Sequence, residues 1–139
     1  MAFSFHPIFF EKVKILLDTF QKANINYTIL SGYRDYQTQK KMYESGAKGV
    51  AHPEKSFHVK GRAIDIRFEN LEERERARKI IKNLGFHVID EDWAGYDHLH
   101  IDDEGAEKDY YTNQGFQWKP LIMILAAGMG IYYITKEIK

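Results

Sequence analysis

The chain has no cysteine in its 139 residues, so it can hold no disulfide and no thiolate metal site. Any bound metal must therefore be held by histidine and carboxylate. It has no net charge either, since 20 Lys and Arg balance 20 Asp and Glu, and with no basic stripe it is not a general nucleic-acid binder. No internal repeat is evident. The N-terminal residues lack the basic, apolar and small-residue succession of a secretory signal. The uncharged stretch Pro120 to Thr135 has 16 residues, short of the ~20 usually needed to span a bilayer. At this length the chain can bury a real core as one domain without staples.

What is present reads as an α+β fold, with helices packed on a small, largely antiparallel sheet and no regular βαβ repeat. Phe9, Phe10, Val13, Leu16, Leu17 and Phe20 recur at helical spacing behind Pro7, predicting a core helix over 7–23. Tyr27 to Leu30 reads as a strand, and Tyr36 to Ser45 as a second helix closed by Gly46. Residues 46–57 carry glycine, proline and charge without period, which predicts a loop over a cleft. A strand around 62–68, a helix from Leu71 to Leu84 ended by Gly85, and strands Phe86 to Ile89 and His98 to Ile101 complete the reading. The run Glu72 to Lys79 mixes charges at helical spacing and reads as a solvated helix face.

The chemistry concentrates in the run from Ser56 to Asp65 and in His98-Leu99-His100, which begins 33 residues after Asp65. Side chains alternate along a strand, so Ile64, Ile66 and Phe68 share one face while Asp65 and Arg67 share the other. Likewise Leu99 and Ile101 point into a core, and His98, His100 and Asp102 point out of it. Two adjacent strands of this kind would bring Asp65 and His100 together on an open sheet face, with His58 reaching in from the preceding loop. Two imidazoles and one carboxylate suit a zinc site with a position left open for water. His6 and His52, each before a proline, read as loop residues, and His87 as a strand residue.

Three blocks together, Ser31-Gly32-Tyr33-Arg34, Ser56 to Asp65 in the pattern Ser-x-His-x-x-Gly-x-Ala-x-Asp, and Asp97-His98-Leu99-His100, carry a resemblance. In their order and spacing the chain resembles the zinc D-alanyl-D-alanine carboxypeptidases and phage L-alanyl-D-glutamate endopeptidases, the peptidase M15-like superfamily. The resemblance spans roughly residues 28–102. It implies that His58, Asp65 and His100 ligate Zn2+ and that Asp97 is the catalytic carboxylate, with His98 the rival for that role. Many members carry Glu where Asp97 stands, and the shorter side chain reaches less far.

Zinc held this way keeps positive charge, acidifies a water and polarises a substrate carbonyl. Asp97 would move a proton from the attacking water to the leaving amine. Arg34 implies both substrate binding and stabilisation of developing negative charge, its alternative being an ion pair with Asp35 or Glu44. Ser56 is expected to support the substrate or the metal's surroundings, and Trp93 either walls the cleft or packs. The implied function is hydrolysis of peptide bonds in peptidoglycan stem peptides, with endopeptidase action favoured over D-alanyl-D-alanine carboxypeptidase action. A non-catalytic, zinc-stabilised wall-binding or virion-structural module is the reading from another class.

These expectations divide the chain into a catalytic domain over 1–105, a linker over 106–119 and an apolar C-terminal helix over 120–139. Trp118 and Tyr132-Tyr133 sit where interfacial aromatics would, and Ala126 and Gly130 form a small-x-x-x-small pair, so the helix is expected to associate with a membrane. With no secretory pattern, the resemblance implies a phage or prophage type of lysin, cytoplasmic or inner-membrane associated until it gains access to the wall.

Overall fold

The computed structural model describes residues 5–105 and the backbone of Met123–Ala127 and Gly130–Ile134. Helix α1 (Pro7–Lys22) starts with proline in its first turn, where no intrahelical N–H is lost, and the His6 ring accepts from the Ile8 N–H at 3.3 Å as its cap. Then follow β1 (Tyr27–Ser31), α2 (Tyr36–Glu44), β2 (Ala63–Phe68), α3 (Leu71–Asn83), β3 (His87–Asp90), a single 3-10 turn (Asp92–Ala94) and β4 (His98–Asp102). Asp35 caps α2 and Asn70 caps α3, each side chain accepting from the N–H three residues on.

The four strands form one antiparallel sheet in the order β1-β2-β4-β3. Helices α1 and α3 cover one face: Phe9, Val13, Leu16 and Phe20 from α1, and Ala77 and Ile81 from α3, meet Ile64, Ile66, Leu99 and Ile101 in a single buried core. Both strand periodicities hold, since the sheet can bury its apolar face only if alternate residues turn the other way. Asp65 and His100 are therefore direct cross-strand partners on the uncovered face.

Two expectations are corrected. The charged run on α3 is not wholly a solvated face, because Arg74 is buried at 6% exposure. Its guanidinium is taken up by Asp90 and by Asp92, the latter at 3.0 and 3.1 Å, while Arg78 donates to Asp90 at 2.8 Å. A buried arginine is tolerated when carboxylates offset its charge, here at both terminal nitrogens, a pairing that reading α3 alone cannot show. The apolar helix expected over 120–139 is not seen either. Met123–Ala127 and Gly130–Ile134 pair as an antiparallel ribbon, β5 and β6, which suits their β-branched and aromatic content. The expected linker and the rest of the tail lie outside the described residues, and no helix among the described residues is long and apolar enough to cross a membrane.

Candidate active site

A cleft of about 330 Å³ lies on the open face of the sheet, between β2 and β4 and the 46–57 loop. His58, Asp65 and His100 line it, and each offers a ligand atom within 4.8 Å of the other two. His58 Nε2 is 3.2 Å from Asp65 Oδ2, and His100 Nδ1 is 2.9 Å from Asp65 Oδ1. The far side of each ring is also fixed. His58 Nδ1 donates to the Gly32 carbonyl at 2.7 Å, and His100 Nε2 meets Asp102 Oδ2 at 2.9 Å. A carbonyl can only accept, so His58 carries a proton on Nδ1, and its Nε2 faces Asp65. Carboxylate and carbonyl partners behind ligating imidazoles are the usual second layer of a zinc site, and this donor set fits the ion.

The electrostatics match. Burial pushes the Asp65 carboxyl up, but hydrogen bonds from His100 and His58 more than offset it and hold the group well below the usual carboxylate range. Burial disfavours the His100 cation, yet Asp102 and Asp65 raise it to about 9. Asp102 is lowered, its burial outweighed by the bond to His100 and by the Glu104 N–H.

Other predicted residues fall in distinct places. Ser56 is buried and lines the cleft beside His58. Arg34 also lines it, donating to Gln39 Oε1 at 2.7 Å and Ser31 Oγ at 2.9 Å, both neutral acceptors. The pairing with Asp35 or Glu44 is absent: Asp35 caps α2 and Glu44 lies 3.8 Å from Lys40. Gln39 in turn donates to the Ala51 carbonyl at 2.7 Å, tying Arg34 to the cleft loop. Asp97 is exposed and is not among the lining residues. Trp93 is 67% exposed and is not among them either, whereas Tyr96 is.

The turn between β3 and β4 supplies what sequence reasoning missed. Glu91 lines the cleft and its Oε2 accepts from His98 Nε2 at 2.8 Å. That bond, with smaller help from the Asp65 charge, raises the His98 pKa against its burial. Tyr96 stacks on His98 with ring centres 5.4 Å apart, and its hydroxyl donates to the Lys48 carbonyl at 3.1 Å. Asp90 and Asp92, which flank Glu91, are the two carboxylates held by Arg74, so α3 anchors the turn that delivers Glu91. His87, expected to be a plain strand residue, meets Asp102 at 3.0 Å. No signal in the sequence marked Glu91; Asp102 could have been found, because strand parity already set it beside His100.

Comparisons with known proteins agree with this geometry. The family model described as VanY, D-alanyl-D-alanine carboxypeptidase, matches residues 3–97. Among solved structures, the LdcB LD-carboxypeptidase, studied for peptidoglycan recognition, is 26% identical with a TM-score of 0.53, covering 75% of this chain and 68% of that one. VanYB in complex with D-alanine-D-alanine is 22% identical, with a TM-score of 0.50 and 76% of each chain covered. The Serratia marcescens L-Ala D-Glu endopeptidase ChiX is 16% identical at a TM-score of 0.49, over 78% of this chain and 86% of that one. No curated protein matches. With the family model covering most of the cleft-bearing region, the chain belongs to the VanY D-alanyl-D-alanine carboxypeptidase family of peptidoglycan peptidases.

Proposed function

We propose that the chain is a zinc peptidase that cuts peptide bonds in peptidoglycan stem peptides as an endopeptidase, for instance between L-alanine and D-glutamate. The observation that carries the zinc reading is the convergence of His58 Nε2, Asp65 and His100 Nδ1 in the cleft, each imidazole braced from behind. When bound there, zinc supplies a Lewis acid for the substrate carbonyl and for water. The chain's own groups do the rest. Arg34, fixed by Gln39 and Ser31, directs its fork to negative charge on the substrate. Ser56 and Tyr96 wall the cleft against solvent. The motif gives proton transfer to Asp97, with His98 beside it.

One observation favours carboxypeptidase action as a second reading: the Arg34 guanidinium has only neutral acceptors in the cleft, which suits a free C-terminal carboxylate. Product masses decide. An endopeptidase releases stem fragments that keep their terminal D-alanine, and a carboxypeptidase releases free D-alanine. In this reading the place of action is the cell wall, reached as a phage or prophage lysin reaches it, with residues 120–135 as a membrane contact. That contact predicts sedimentation of the full chain with anionic vesicles and its loss on truncation at 119.

A further inference from the structure

We propose that Arg67 is a specificity-determining residue: its guanidinium takes a second carboxylate of the stem peptide, apart from the one that Arg34 receives. Stems carrying that carboxylate free are then cut in preference to stems in which it is amidated. The inference rests on the peptidase reading above and leaves proton transfer where that reading puts it. Arg67 is the one exposed residue of β2. It shares the open face with Asp65, two residues back along the strand and so about 7 Å away. Its cross-strand partners are Thr28 on β1 and His98 on β4, and directly paired residues project to the same side of a sheet. The row Thr28, Arg67 and His98 therefore lies next to the row of Asp65 and His100.

What sets Arg67 apart is that its charge is uncommitted. Arg34, Arg62, Arg74, Arg76 and Arg78 each donate to a carboxylate, an amide oxygen or a backbone carbonyl. Arg67 makes no hydrogen bond or ion pair with any described residue. The acids around it have other partners: Asp65 is shared by His58 and His100, Glu91 accepts from His98 at 2.8 Å, and Glu69 accepts from Asn26 at 3.1 Å. A hollow of about 230 Å³, with Thr28, Arg67, Asn26 and Glu69 in its lining, leaves room at the guanidinium. A planar fork with free donors beside a substrate cleft suits a carboxylate, and the Thr28 hydroxyl is a further donor in the same lining.

The substrate class offers such a group. D-glutamate in a stem peptide is joined onward through its side-chain carboxyl, which leaves its α-carboxylate free unless it is amidated. A diamino acid with a carboxylate of its own at the next position is the other source. A charge-assisted pair made equally in the bound substrate and in the transition state lowers KM and leaves kcat alone.

The test measures kcat and KM of the full, zinc-loaded chain, as wild type, Arg67→Gln and Arg67→Lys, on soluble stem peptides. One peptide has both carboxylates free, one is amidated at D-glutamate, and one is amidated at the diamino acid. For wild type, one of the two amidations should raise KM about 10-fold or more, the usual scale for a lost charge-assisted hydrogen bond, and the peptide affected names the source of the carboxylate. Arg67→Gln should show the same rise on the free peptide, with kcat and zinc content at the wild-type level, and should no longer distinguish free from amidated peptide. Arg67→Lys should recover part of the preference, since it keeps the charge and loses the fork. A wild type indifferent to both amidations, an Arg67→Gln that keeps the wild-type preference, or a loss confined to kcat overturns the proposal and leaves the peptidase reading standing. A zinc-loaded wild type that cleaves none of the peptides overturns that reading and this proposal with it.

Discussion

Asp65 shows how one residue is set by its register. It is 6% exposed, yet it sits opposite His100 on β4 and reaches His58, so its charge is matched on both sides. Asp102 is one layer further back, and replacing it with Asn should weaken zinc binding about 10- to 100-fold, as removal of an outer partner of a ligating histidine does. Competition with a chromophoric chelator measures this. In the proposed zinc site the proton on His100 would compete with the metal. Its pKa, raised to about 9 from 6.5, means that the cation's contribution to the chelator-stripped fold is complete below about 6.5 and fades as pH rises through 9. The same proton must leave when metal binds, so apparent zinc affinity should climb with pH across this window, as calorimetry in buffers of different ionisation enthalpy will show.

Among the elements, β2 and β4 were legible because their alternation is strict: Ile64, Ile66, Leu99 and Ile101 all have 2% exposure or less, and their neighbours had to face outwards. The β3–β4 turn was not, because parity ends where the strand ends and Glu91 owes its position to arginines about 15 residues away on α3. For the same reason Arg74 looked like one charge in a solvated run. Arg74→Met should destabilise the fold by about 2 kcal/mol, less than a fully buried pair because Asp92 remains largely solvated and Arg78 still serves Asp90. Burial raises the Asp90 carboxyl, but the Asp92 N–H and the two arginines bring it below 3.8 overall. A depressed carboxyl contributes above its unfolded value and loses that contribution as pH falls through the folded one. The gap between wild type and Arg74→Met in urea unfolding should therefore be full at pH 7 and shrink below about pH 4.

At the scale of the whole molecule, one face of a four-stranded sheet is spent on the core and the other on the cleft. The α+β class, the three helices near their expected bounds and the pairing of Asp65 with His100 followed from periodicity and capping. The tail did not: an uncharged run of 16 residues has the composition of a helix or of paired strands, and its length alone could not choose. The proposed zinc site would tie β2, β4 and the loop before β2 together, so zinc should stabilise the native chain by about 4 kcal/mol at 1,000 times its Kd. Stripping the metal should lower Tm in wild type and leave His58→Ala unmoved. The central claim is tested most directly by digesting purified peptidoglycan with wild type and His58→Ala, reading fragment masses and metal content together. The account predicts cleavage at one bond of the stem peptide by the zinc-loaded wild type alone. Intact walls after treatment with zinc-loaded wild type, or equal cleavage by His58→Ala, would contradict it.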